Sequence, residues 1–299
     1  MVLQQFKIYP SVISTQLIDE INSEHEKIKR SPFNFFRAQG YGEFERPELD
    51  KFGNQINSVH NPHLLGFFPR YTRLLKDVFF GHEITECLRD FYEFEKPVVF
   101  NHYQSMHFDK STATALHQDT WYLDTIKNSL VGVWFALEDI EPGCGPFCLY
   151  TDTDSRIVGN AEFDFENLDA DQNFKNTFPT SDKFDFYPKK GDVLIWNSKL
   201  IHGALAPEQP NLTRKSLTSH YYPSGDEVQD QLIKRWLSIY NHKNPKKTFN
   251  KNINQTTVIP PIVYQSICAA FSANRRLKNI LMSDDKMEKN LKEIRRLQN

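Results

Sequence analysis

The chain has 299 residues, 39% of them hydrophobic and 25% charged, with a formal net charge of −2. That is enough apolar material for a folded core, which excludes general disorder. The near-neutral balance argues against nucleic acid or an anionic membrane surface as a main partner, and apolar runs such as "GVWFAL" are too short to span a bilayer.

Residues 14–30, "STQLIDEINSEHEKIKR", are predicted as an amphipathic helix capped by Ser14 or Thr15, with Leu17, Ile18, Ile21 and Ile28 along one stripe. The start before it, "MVLQQFKIYPSVIS", lacks a basic stretch followed by a long apolar run, so no signal peptide is expected. Residues 31–63 mix Pro, Gly, Asn and aromatics, and are expected to be a long loop beside a pocket. Residues 69–91 read as two short helices broken near Gly81. From Pro97 the pattern changes to short runs rich in Val, Ile, Phe, Trp and Thr: "PVVFNHYQS", "SLVGVWFALEDI", "GPFCLY", "GDVLIWNS" and "RKSLTSHYY". Turn signals such as "EPGCGP" and "PKKGD" bound them, which predicts an antiparallel sandwich or barrel. The segment 160–187 is acidic and aromatic, expected either as a lid over a substrate or as a solvated surface loop. After Tyr222 helical patterns return in "DEVQDQLIKRWLSIY" and "PPIVYQSICAAFSANRRLKNILM". With no linker and no repeat, the expectation is one domain over 1–299, mainly β at about 97–223, with helical flanks at both ends. Cys87, Cys144, Cys148 and Cys268 are expected as free thiols of a cytoplasmic protein, because no second pair completes a zinc site around Cys144 and Cys148.

The chemistry centres on "FNHYQSMHFDKSTATALHQDTWYL", which carries His-x-Asp twice, at His107 and Asp109 and again at His117 and Asp119. In an extended segment, residues two apart point to the same side, so His117 and Asp119 can grip one face of a metal ion. A third ligand must come from a neighbouring strand, and His202 in "GDVLIWNSKLIHGALA" is the best candidate, just past the end of a buried strand. Two histidines and one carboxylate make the facial triad of non-haem Fe(II) oxygenases, which leaves coordination positions open. Chemistry of that type commonly uses 2-oxoglutarate as electron-donating co-substrate, with a cation for its distal carboxylate. Arg214 suits that role through its planar fork, and Ser216 can add a hydroxyl from the same side of the strand. Two other readings use the same residues. His117 and His202 can be plain polar residues at strand ends, and a zinc hydrolase can use the same three ligands. Arg214-x-Ser216 favours iron, since zinc hydrolysis has no use for a carboxylate clamp. A barrel that binds a small molecule without catalysis is the reading from another class.

The segments "LHQDTWYL", "VGVWFALEDIEPGCGPF", "GDVLIWNSKLIHG" and "TRKSLTSHYYP" resemble the phytanoyl-CoA dioxygenase family of Fe(II)/2-oxoglutarate-dependent oxygenases, over about Val98 to Pro223. The resemblance implies a double-stranded β-helix, a jelly-roll core with helices packed outside. It places His117, Asp119 and His202 on the iron ligands, Arg214 on the clamp for 2-oxoglutarate, and Trp134 on a pocket-lining aromatic. "YQSMHF" is similar to the ectoine hydroxylase branch, which implies that Gln104 and His107 contact 2-oxoglutarate; a polar strand-end role is the alternative for His107. Trp121 and Tyr122 join Trp134 as expected pocket residues for a small organic substrate. The implied reaction consumes O2 and hydroxylates a C–H bond with release of succinate and CO2. Desaturation or cyclisation at the same centre is the alternative. Because Asp119 is kept where related halogenases carry a small residue, hydroxylation is favoured over halogenation. The chain departs from the family in "CLYTDTDSRIV", where relatives carry a Pro-Gly-Ser-His segment.

Overall fold

The computed structural model describes residues 4–31, 36–37, 46–65, 67–93, 98–100, 105–110, 112–121, 125, 127–158, 162–165, 167–224 and 226. Among these, the strands are β1 (Phe6–Tyr9), β2 (Phe36–Arg37), β3 (Ser58–His60), β4 (Val98–Phe100), β5 (Met106–Phe108), β6 (Thr114–His117), β7 (Val131–Ala136), β8 (Phe147–Tyr150), β9 (Lys183–Phe186), β10 (Val193–Asn197), β11 (Ile201–Ala204) and β12 (Ser216–Pro223). The helices are α1 (Thr15–Ile28), α2 (Pro69–Phe80), α3 (His82–Tyr92) and the short α4 (Gln172–Thr177). The helical pattern expected after Tyr222 lies almost wholly outside the described residues, and no described helix is long and apolar enough to cross a membrane.

Two antiparallel sheets face each other. The larger runs β1-β10-β7-β12-β5-β3-β2, with β4 also paired to β12, and the smaller runs β6-β11-β8-β9. This is the jelly-roll double-stranded β-helix. Strand alternation sorts the side chains of the large sheet into two layers. Val131, Val133 and Phe135 of β7 face outward and pack with Val193 and Ile195 of β10 against α1, α2 and α3. Gly132, Trp134 and Ala136 face the other sheet, where Trp134, Phe147, Leu149, Leu194 and Trp196 fill the space between the layers.

Helix α1 begins where expected: the Ser14 hydroxyl accepts from the Leu17 amide at 3.3 Å, and Ile18, Ile21 and Ile28 are buried. The break at Gly81 is also present, between α2 and α3. Three expectations need correction. The β core does not start at residue 97: β1 adds to β10, and β3 adds to β5 from within 31–63, where a loop is expected. The acidic segment is not a plain solvated loop, since Phe163, Phe174 and Phe178 pack with Tyr150 and Ile201 on the outer face of the small sheet. Nor do its described residues line the central pocket, as a lid would. Its last residues form β9, from which Phe186 meets Trp134 edge to face at 5.7 Å.

Candidate metal centre

The two sheets enclose a pocket lined by residues of β5, β6, β7, β8, β10, β11 and β12. Three metal-ligand side chains meet there. His117 ends β6, Asp119 opens the one-turn 3-10 helix that follows, and His202 lies on β11 directly opposite His117 in the strand register. The grip is therefore a strand end followed by a turn, not a continuous extended segment. His202 also sits inside its own strand, β11, which starts after the tight turn that closes β10. Asp119 Oδ1 is 3.5 Å from His117 Nε2 and 3.4 Å from His202 Nε2, and the three ligand atoms all lie within 4.8 Å of one another. Among the described residues this is the one such grouping.

Both imidazoles are held in the orientation a metal needs. Nδ1 of His117 lies 2.8 Å from the Ala115 carbonyl oxygen, and Nδ1 of His202 lies 2.8 Å from that of Leu200. A carbonyl only accepts, so each Nδ1 carries a proton, and Nε2 is the nitrogen turned toward Asp119, the one a metal would take. Burial pushes the Asp119 carboxyl up, but the imidazoles of His202 and His220 outweigh it and hold the group well below its usual range. For His117, burial lowers the pKa, and the hydrogen bond with Asp119 more than reverses that. Gly203 is needed beside the ligand: a Cβ there would lie 2.7 Å from the Thr114 carbonyl oxygen of β6, so a side chain would push apart the two strands that pair the histidines.

Arg214 is buried and lines the same pocket. Its Nη1 donates to the Leu205 carbonyl at 2.9 Å and its Nη2 to that of Thr112 at 3.0 Å. Carbonyls fix the guanidinium but do not neutralise it, and burial lowers its pKa to about 10. From Arg214 the alternation of β12 carries Ser216, Thr218 and His220 into the pocket. Among the pocket residues, Asp119 Oδ2, Trp196 Nε1, Ser216 Oγ and Thr218 Oγ1 are buried without an aligned hydrogen bond. Buried polar atoms are seldom left so. The donor set, two imidazoles, one carboxylate, a pinned guanidinium and unused hydroxyls, fits a divalent metal with an anionic oxygen ligand.

The structure brings His117, Asp119, His202, Arg214, Ser216 and Trp134 to one pocket. It does not bring His107. Met106 and Phe108 of β5 point into the pocket, so His107 between them points away. There it hydrogen-bonds the Tyr71 hydroxyl and lies 4.0 Å, ring to ring, from His25 of α1. Its expected contact with 2-oxoglutarate is thus excluded by the pleat of the strand. Gln104, Tyr122 and the side chain of Trp121 lie outside the described residues. Two residues of the site escaped sequence reasoning. His220 continues the Arg214, Ser216 alternation and comes within 3.2 Å of Asp119 Oδ2; extending that spacing by two steps would have found it. Gln118, between His117 and Asp119, faces away from the cluster. Its Oε1 accepts from the Val158 amide at 2.8 Å and its Nε2 donates to the Arg156 carbonyl at 2.9 Å. It thereby ties the divergent segment after β8 to the metal motif.

The family model described as phytanoyl-CoA dioxygenase matches residues 8–216. A comparison with curated proteins found no match. Among solved structures, the chain is similar to the non-heme alpha ketoglutarate dependent carbocyclase SnoK from nogalamycin biosynthesis, at 17% identity over 78% of this chain and 86% of that one, with a TM-score of 0.56. The epimerase SnoN, solved in complex with Fe3+, alpha ketoglutarate and nogalamycin RO, is 13% identical over 74% of this chain and 80% of its own, with a TM-score of 0.53. AviO1 from Streptomyces viridochromogenes Tue57 is 14% identical over 75% and 92%, with a TM-score of 0.50. At such identities these neighbours speak for the fold. The family match spans most of the described core, and the chain belongs to the phytanoyl-CoA dioxygenase family, whose enzymes work with Fe(II), 2-oxoglutarate and O2.

Proposed function

We propose that this enzyme hydroxylates an unactivated C–H bond of a small organic molecule, releasing succinate and CO2. One observation carries the reading: a single pocket holds the His117, Asp119 and His202 cluster together with the buried, pinned cation Arg214. Fe(II) held by the triad would supply, with 2-oxoglutarate and O2, the oxidising power to attack such a bond. The chain's own residues do the rest. The backbone carbonyls of Ala115 and Leu200 turn Nε2 of both imidazoles toward the metal position. Arg214 binds the distal carboxylate of 2-oxoglutarate, with Ser216 offering a hydroxyl beside it. Trp134, Phe147 and Trp196 wall the pocket with apolar surface, which limits water and strengthens the charge pairing inside. A cytoplasmic setting belongs to the same proposal, supported by the free thiols of Cys87, Cys144 and Cys148.

Cyclisation is the second reading, favoured by the likeness to SnoK, described as a carbocyclase. The test is a metabolite screen scored by succinate release, followed by mass analysis of the altered compound. Hydroxylation adds one oxygen atom; cyclisation or desaturation removes two hydrogens and adds none. Succinate release that persists without Fe(II), or in His202→Ala, would overturn both.

A further inference from the structure

Asp119 uses its two carboxylate oxygens differently. Oδ1 faces the Nε2 atoms of His117 and His202, at 3.5 and 3.4 Å. Oδ2 faces Nε2 of His220, at 3.2 Å. Asp119 and His220 are both buried, and Oδ2 accepts no aligned hydrogen bond in its present position. The position of His220 is set by a cross-strand row. In the register of the large sheet, Trp196 of β10 lies opposite Gly132 of β7, which lies opposite His220 of β12. A Cβ at Gly132 would fall 2.1 Å from the Trp196 ring, so the indole lies across the glycine toward the His220 strand. The row backs the imidazole with aromatic surface on the side of the sheet that faces the metal ligands.

We propose that His220 is a positioning residue: its Nε2–H caps Asp119 Oδ2, which turns Oδ1 to the metal and keeps the carboxylate a one-oxygen ligand. This rests on the triad being the metal centre. A ligating carboxylate with a free second oxygen can rotate or chelate through both oxygens, and a donor on that oxygen stops it. One-oxygen ligation by Asp119 leaves more of the coordination sphere to the co-substrates. Removing such a partner costs about 10–100-fold in metal affinity in comparable sites.

Co(II) titration under anaerobic conditions, followed by its visible absorption, tests this on the full chain without turnover. His220→Ala is expected to weaken Co(II) binding by about 10–100-fold. His220→Gln places an amide N–H near the former Nε2 and is expected to bind within a few-fold of wild type. His220→Asn places its N–H near Nδ1 and is expected to behave as Ala. Equal affinity in wild type and His220→Ala would overturn the proposal, as would His220→Gln binding as weakly as Ala. If His220→Ala is too unstable to titrate, the contrast between Gln and Asn decides by the same criterion. Wild type that binds no Co(II) would overturn the metal-centre reading itself, and the role of His220 with it.

Discussion

Replacing Arg214 with Ala should separate co-substrate binding from metal binding. The guanidinium is fixed before any ligand arrives, because Leu205 and Thr112 carbonyls hold Nη1 and Nη2 at 2.9 and 3.0 Å. A carboxylate therefore meets a pre-oriented cation, with little side-chain entropy left to lose. A hydrogen bond to a charged group contributes about 1.5–3 kcal/mol. Two such bonds give about 3–6 kcal/mol, which at 1.4 kcal/mol per tenfold is about 10²–10⁴ in the 2-oxoglutarate requirement. The variant also strips two carbonyls of their donor, so some loss of stability is expected whatever the role in binding.

The discriminating assay uses 2-oxovalerate, which keeps the metal-binding keto acid and replaces the distal carboxylate with a methyl group. Wild type should prefer 2-oxoglutarate to 2-oxovalerate by about the same 10²–10⁴-fold. Arg214→Ala should lose nearly all of that preference, and Arg214→Lys should keep part of it as a point charge. The cycle of two enzymes and two keto acids isolates the pairing from any general damage, because damage affects both keto acids alike. Arg214→Ala that still prefers 2-oxoglutarate by the wild-type ratio would refute the clamp. Co(II) affinity should stay near wild type throughout.

Three further outcomes are expected. Burial lowers His25 from 6.5 to about 4, against the pull of Asp109; the folded state resists its protonation, so stability present above pH 6.5 is lost as pH falls toward 4, by about 3 kcal/mol. Urea unfolding of wild type and His25→Phe at pH 7 and pH 4 should show a smaller acid loss in the variant, and equal losses would remove His25 as the cause. Gly132→Ala drives a Cβ into the Trp196 ring and should cost about 1–3 kcal/mol, read as a lowered Tm with weakened Co(II) binding; an unchanged Tm would mean that the row tolerates a side chain. Asp109→Asn removes the carboxylate that Lys29 and Lys215 share, at 2.8 and 3.3 Å, and should cost about 3–5 kcal/mol, while the folded variant keeps wild-type Co(II) affinity; loss of Co(II) at unchanged stability would reassign the metal.

Much of the site was legible because its signals are local or alternate along one strand. Ser14 capping α1, the break at Gly81, and the Arg214, Ser216 step into β12 each depend on a few adjacent residues. What was not legible depends on partners distant in sequence. The tetrapeptide "FKIY" is a strand because β10 offers it an edge, and Ser58–His60 is a strand because β5 does. Gly132 looks like a weakness within "VGVWFA" until the register sets it between Trp196 and His220. The acidic segment reads as a loop by its charges, yet its phenylalanines have a sheet face to cover.

The two His-x-Asp copies show why spacing alone does not define a metal site. Each holds His and Asp two residues apart, and each is largely buried. The first stands on the helix side of the large sheet. There Asp109 already has two cations, Lys29 just after α1 and Lys215 just before β12, and an amide, Gln55 N, at 2.9 Å. His107 pairs through Nδ1 with the Tyr71 hydroxyl, on the side of the sheet away from the pocket. The second copy faces the pocket, where the neighbours of Asp119 are three imidazoles and no lysine. Imidazoles lack the fixed positive charge of a lysine, and the Nε2 atoms of His117 and His202 need a common partner, while His220 turns its Nε2 to Oδ2. A divalent cation meets both demands at once. Parity along β5 sets His107 on the helix side, while His117 at the end of β6 and Asp119 in the turn after it face the pocket; that placement separates a salt-bridge anchor from a candidate metal centre.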